Sequence, residues 1–420
     1  MKNREQLCVE DTNLKRSQRL LLIQGALAAV LYSLGTGNFL AGYLIILGAS
    51  PSLIAKIVAI PQLGCVLQLI APLYFERKQK RKRAIVVMCF LFRFSIGGTV
   101  LAPLLFQTQN GRLGFVFVLY LISFMSAGFV TPALNQWIMQ IAPTENRGQY
   151  FAIKDILAAV ANAGVAFLMG CQLDVCAEKG IPMTGYFTIY GFCMLVAVVD
   201  SVLLIFQEEI PCPVLPNISP RDLLQPLKDL SYRPLLVYEI LGITSAMLAN
   251  GYLAVYQLNV LGLSHTFIAS VGAFSSAITM MAIWFWGKVA DKTNWTTVVL
   301  ITRAMNVICL FGWCLMPSSI AIVGAPVLMM VSAAGIGASG MAVVNLQYAH
   351  CPEKGKTTYL GVTTAIGSLT GYAAAMLGSR LQITMEPVIG SGPSMAVLFG
   401  ISGVLSLIAF EHGSKNLPRT

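Results

Sequence analysis

The chain has 420 residues, of which 56% are hydrophobic and only 11% charged, with a formal net charge of +10. Soluble domains carry about 45–50% apolar and about 25% charged residues, and a folded sphere has to keep polar residues on its outside. The composition therefore excludes an ordinary soluble protein and points to one whose solvent is a bilayer.

A helix needs about 20 apolar residues to cross about 30 Å of hydrocarbon. Twelve such runs follow one another, at 20–47, 52–74, 84–106, 113–140, 150–172, 185–206, 234–260, 264–287, 295–316, 319–349, 356–380 and 394–411. The ten-residue alternation of a membrane β-barrel does not accompany them, so the predicted class is an all-α integral membrane protein. The first run, 28 residues long, exceeds the apolar region of a secretory signal and reads as an uncleaved first span.

Charge gathers between spans 2 and 3, where "FERKQKRKR" (75–83) holds seven charged residues in nine. A nucleic-acid patch, a localisation signal and a membrane loop held on one side all fit such a run. With the N-terminus placed in the cytoplasm, loops and tails on that side carry 21 Lys and Arg, whereas the other side carries three, Arg112, Lys179 and Arg380. That asymmetry is the positive-inside signal. It decides for the membrane loop, puts both termini in the cytoplasm, and assigns the net charge to anionic inner-leaflet lipid rather than to nucleic acid.

Ten cysteines are scattered, mostly within spans, without a CxxC pair or a Cys/His cluster. Metal and other cofactors are not indicated. A Cys171–Cys176 pair across an outward loop is one reading, and small apolar fillers in packed helices is the better one.

The two halves resemble each other. "GNFLAGYLIILG" (37–48) matches "NGYLAVYQLNVLG" (250–262), "SPSLI" (50–54) matches "SHTFI" (264–268), and "PTENRGQYF" (143–151) matches "PEKGKTTYL" (352–360). The offsets stay near half the chain length, as a duplication requires. The expected organisation is two six-helix pseudo-repeat bundles, 1–206 and 234–420, around a proline-rich, charged cytoplasmic linker, 207–233, with a short amphipathic helix over 219–230.

The charged loop adds a family resemblance. "PLYFERKQKR" (72–81) resembles the signature G-x-x-x-D-[RK]-x-G-[RK]-[RK] of the major facilitator superfamily, with Glu76 at the acidic and Arg77 at the basic position. Pro72 and Gln79 replace its glycines. "GKVADKTNWT" (287–296) is similar at the matching place in the second half, through Gly287, Asp291 and Lys292, while Trp295 and Thr296 replace the closing basic pair. The resemblance implies the superfamily's twelve-span fold. It also implies that Glu76, Arg77, Gly287, Asp291 and Lys292 latch the cytoplasmic helix ends together. A carboxylate at a helix end can accept from the free amides opening a neighbouring helix. The competing reading is a solvated topology loop.

By the same resemblance, spans 1, 4, 7 and 10 line a central cavity. Span 1 offers Asn38 and Tyr43, besides Tyr32 and Thr36; span 7 offers Asn250, Tyr252, Tyr256 and Gln257, besides Asn259. Amides and phenols in hydrocarbon need a partner or water, so helix-to-helix hydrogen bonding is the alternative for each.

Ionisable residues within spans are functional by default. Arg93 stands about ten residues into span 3, roughly 15 Å deep, and Arg303 lies in the equivalent span 9. Each is an anion contact or a structural brace. Glu239 (span 7) and Asp200 (span 6) are the proton-coupling candidates, against an inter-helix salt bridge. Lys56, Lys154 and Asp155 lie close enough to span ends to snorkel.

The superfamily's drug/proton antiporters carry an Arg in span 4 and a G-P-x-x-G-G-like run in span 5. Both are missing here, as is a nucleotide-binding P-loop. The expected function is secondary active transport of a small organic solute across the plasma membrane by alternating access, proton- or gradient-coupled, the chain working as a monomer in lipid. A non-transporting sensor or scaffold on the same fold is the alternative. A membrane-embedded enzyme is a distant third, because His265, His350 and His412 lie far apart in sequence.

Overall fold

The structure, a computed structural model, describes residues 2–75, 77–143, 147–210, 225–351 and 356–417. It is all-helical over these residues, and twelve helical stretches are long and apolar enough to cross a membrane.

Several predicted spans are interrupted, each for a local reason. The first is α1 (Lys2–Leu34) followed by α2 (Gly37–Ile46). Thr36 is extended and Gly37 has φ 57°, a left-handed turn that ends one helix before the next begins. The second is divided into α3 (Pro51–Val58), α4 (Ile60–Val66) and α5 (Ala71–Phe75). Pro61 lacks an amide to continue the ladder from α3. The third is α6 (Lys82–Gly98), running through a tight turn into α7 (Ala102–Leu105), where Pro103 falls. Then come α8 (Gln109–Ile141), α9 (Arg147–Glu178) and α10 (Pro182–Phe206).

Of the expected helix over 219–230, only a single turn, α11 (Gln225–Lys228), lies among the described residues; 211–224 lie outside them. The second half continues with α12 (Arg233–Val255), which closes in a wide π turn over Tyr256–Val260. After it come α13 (His265–Lys292), α14 (Trp295–Cys314), α15 (Ala321–His350), α16 (Lys356–Ile389) and α17 (Ser391–Asn416).

The repeated peptides form the same local structure twice. Gly48 and Gly262 take positive φ of 86° and 65°. Two residues later Ser50 and Ser264 cap α3 and α13, accepting from Leu53 N at 3.3 Å and Phe267 N at 3.2 Å. Each cap is worth about 1 kcal/mol. A glycine for the turn and a serine for the next helix's free amides is the chemistry both copies retain.

The chain divides into two compact units, 1–48 with 67–217, and 49–66 with 218–420. Within the first, α1 packs on α9 and α10, and α6 on α8 and α10. Within the second, α12 packs on α16 and α17, α14 on α15 and α17, and α13 on α15, while α3 and α4 lie against α16. Helices in lipid gain from close backbone approach, which small residues allow. Gly378 sets α16 directly on the Leu248 carbonyl of α12, and Gly251 sets α12 on the backbone of Ala55 in α3. Cys171 and Cys176 carry free thiols.

Candidate functional site

The second unit contains a cavity of about 550 Å³, within the size range of small-molecule sites. Helical periodicity builds its walls. On α12, Glu239, Gly242, Ile243 and Ala246 recur at the three- and four-residue steps that share one helix face. On α15, Ser332, Gly335, Ser339 and Gly340 face the same space, and their small side chains leave it unfilled. Arg303 and Asn306 enter from α14, Thr364 and Ser368 from α16, and Gln62 and Cys65 from α4.

Arg303 is fixed in this cavity. Its Nε donates to the Tyr238 hydroxyl at 3.1 Å, and its guanidinium lies 4.9 Å from the centre of the Tyr238 ring. That hydroxyl in turn donates to Val299 O at 3.3 Å. A Cβ at Gly242 would overlap the guanidinium, so the glycine admits Arg303 against the α12 backbone. Glu239 is half-buried on the same wall and lies in the field of Arg303. The ion pairs among the described residues are Arg93–Asp200, Lys154–Asp155 and Lys415–Glu411, so Glu239 and Arg303 face the cavity without closing on each other. Asn306 Oδ1 accepts from Ser406 Oγ at 3.0 Å, which orients the amide.

The first unit treats its intramembrane charges differently. Arg93 of α6 pairs with Asp200 of α10, and both are buried. The two arginines in equivalent helices thus have different surroundings, one against a carboxylate and one against a phenol beside a cavity.

The other residues singled out by sequence are dispersed. Tyr43 is buried, its hydroxyl donating to Thr99 O at 2.8 Å and its ring against Tyr186 and Tyr190. Tyr256 donates to Met316 O at 3.1 Å and packs edge-on against Phe399. Tyr252 and Gln257 are buried, Asn38 is half-exposed and Asn250 exposed. None of these six lines the cavity of the second unit. Of the latch residues, Glu76 lies outside the described residues, as does the side chain of Asp291. Arg77 and Lys292 are exposed, and Gly287 lies within α13.

Sequence reasoning passed over a buried polar cluster on the first unit. Arg81, the last basic residue of the signature-like loop, is 5% exposed and donates from Nε to Lys78 O at 2.9 Å. Nearby, Glu209 accepts from the Lys82 amide that opens α6 at 3.0 Å, and Trp137 Nε1 donates to Glu208 O at 2.9 Å. The start of the presumed linker is therefore strapped to the bundle. The Glu209 carboxylate, just after a span, is the signal that marks it.

Twelve membrane-length helices, a doubled turn-and-cap and a polar cavity among the spans define a multi-pass membrane protein with a transporter fold. The chain belongs to the Major Facilitator Superfamily, whose sequence model matches residues 156–379, more than half its length. It is a membrane transporter of that superfamily and not an enzyme. Solved structures share the fold at low identity. A point mutant of the nucleoside transporter NupG is 9% identical with a TM-score of 0.75, over 97% of this chain and 100% of the other. A D-xylose–proton symporter is 15% identical with a TM-score of 0.67, over 97% of both chains. A bacterial homologue of the iron transporter ferroportin, in an inward-facing state, is 14% identical with a TM-score of 0.64, over 100% of both. No curated protein sequence matches the chain significantly.

Proposed function

We propose that the protein is a secondary active transporter carrying a small organic solute across the cytoplasmic membrane by alternating access, driven by a proton or solute gradient. The working parts are the halves 1–206 and 234–420 with the linker 207–233, in a single chain whose termini both lie in the cytoplasm. The solved structures that share its fold include a nucleoside transporter, a D-xylose–proton symporter and a bacterial homologue of an iron transporter, so the fold supports transport and the solute class rests on the cavity.

One observation carries the coupling. Glu239 presents a carboxylate to a cavity among the spans, beside the fixed cation Arg303 and without an ion-pair partner among the described residues. A carboxylate so placed can exchange a proton with the cavity, and its two charge states hold Arg303 differently. Asp200, the other coupling candidate, is closed in by Arg93 and has no such access.

The test is flux in proteoliposomes across a broad solute panel. At saturating solute, Glu239→Gln should keep exchange and lose accumulation driven by a pH gradient. Uphill uptake in that variant would remove Glu239 from the coupling role, and no flux of any solute by the unaltered protein would favour a sensor. The latch role of Asp291 is checked separately. Asp291→Asn should raise cysteine labelling from the cytoplasmic side, and unchanged labelling would argue against it.

A further inference from the structure

The cavity of the second unit holds two opposite charges that are not joined as an ion pair among the described residues. Arg303 donates from Nε to Tyr238 and sets its terminal nitrogens beside Gly242 on the cavity wall, where neither donates a hydrogen bond to a described residue. Glu239 offers its carboxylate one helix away. Both groups are half-buried in the cavity wall, and charges partly withdrawn from water attract an opposite charge more strongly than they do in bulk solvent. A ligand with a single charge would offset one of these groups and leave the other, and an uncharged polyol would offset neither fully. The occupant that satisfies both carries an anion and a cation close together.

The remaining walls describe the rest of the ligand. Ile243, Met247, Ile336, Val343 and Val344 give the walls apolar surface between their polar groups. Gln62 and Gln347 add amides that can donate to or accept from a peptide group. We infer that this cavity binds an apolar zwitterion, an α-amino acid or a short peptide with aliphatic or aromatic side chains, its carboxylate on Arg303 and its ammonium on Glu239. This rests on the transporter reading and adds the substrate class to it. The volume of about 550 Å³ admits ligands of this size.

The experiment uses the purified full chain and three zwitterions, L-leucine, L-phenylalanine and the dipeptide dileucine. Each is paired with its methyl ester, which keeps only the cation, and its N-acetyl form, which keeps only the anion. At least one zwitterion should raise the melting temperature, as a ligand of the folded state does. Capping either of its charges should weaken binding about tenfold or more. In Glu239→Gln the zwitterion and its N-acetyl form should bind alike, and in Arg303→Gln the zwitterion and its ester should.

The inference is overturned if none of the three zwitterions binds, or if capped forms bind the unaltered protein as well as their parents. The unaltered protein alone decides this, should a variant fail to fold. Uptake of uridine or D-xylose down a gradient, with no zwitterion binding, would overturn the substrate class and leave the transporter. Zwitterion binding with no flux of any solute would instead overturn transport and leave the site.

Discussion

Arg93 of α6 and Asp200 of α10 close on each other as an ion pair with 4% and 0% of their side chains exposed. Removing one member strands a charge among packed helices, which typically costs about 3–5 kcal/mol. Arg93→Met and Asp200→Leu should each lower the melting temperature of the purified protein sharply. The double variant should recover most of the loss, because it strands no charge. On the reading of this pair as a brace, the double variant should also keep whatever pH-driven uptake the unaltered protein has. Additive losses in the double-mutant cycle would mean the pair is not coupled, and lost uptake with restored stability would return Asp200 to the coupling candidates.

Gly378 makes a stability prediction of a different kind. Its missing Cβ lets α16 rest on the Leu248 carbonyl of α12, and a backbone atom cannot swing aside as a side-chain tip can. Gly378→Ala should therefore push the two helices apart and destabilise the second unit by about 1–3 kcal/mol, the usual range for overpacking. Thermal melting reads it directly. An unchanged melting temperature would show that α16 shifts freely along α12.

Much of this architecture was legible in the sequence, because span length is set by the bilayer. The doubled turn was legible too, since Gly48–Ser50 and Gly262–Ser264 keep residues that their backbone geometry demands. The cavity was not. Its α15 wall is hollow because Ser332, Gly335 and Ser339 are small, and within an apolar run small residues look like any tight helix contact. Nor does a helix that is apolar all round reveal which face meets a neighbour. Tyr43 and Tyr256 looked like cavity lining for that reason, whereas their hydroxyls reach carbonyls of adjacent segments. Arg303 and Glu239 were found individually as charges in oil. The place of Arg303 against α12, the helix of Glu239, depends on Gly242, which carried no signal of its own.

At the entry to α12, Asp229 makes the fold's pH dependence testable. Its carboxylate accepts from the Ser231 hydroxyl at 2.6 Å, the Tyr359 hydroxyl at 2.9 Å and the Ser231 amide at 3.0 Å. These bonds, the Ser231 hydroxyl foremost, hold it below the ordinary carboxylate range. A depressed folded-state value contributes stability above the unfolded value of about 3.9 and loses it as pH falls through the folded one. Asp229→Asn should therefore melt slightly earlier than the unaltered protein at pH 7, and the gap should shrink below about pH 4. The gap is small because the group is largely solvated. A gap that widens on acidification would reverse the sign and refute the assignment.

Gly242 separates function from stability most cleanly. A Cβ there overlaps only the tip of Arg303, the end of a long flexible side chain. Alanine is also the better helix former, by about 1 kcal/mol. Gly242→Ala should therefore melt within a few degrees of the unaltered protein, unlike Gly378→Ala. It should nonetheless displace the guanidinium from its place over Tyr238 and weaken solute binding by about tenfold, the scale of one charge-assisted hydrogen bond. Tyr238→Phe removes the hydroxyl that accepts from Arg303 Nε while keeping the ring, so it should reproduce part of that loss. If Gly242→Ala binds and transports normally, the position of Arg303 against α12 has no bearing on the solute. The cavity's charged end would then have to be assigned to packing alone.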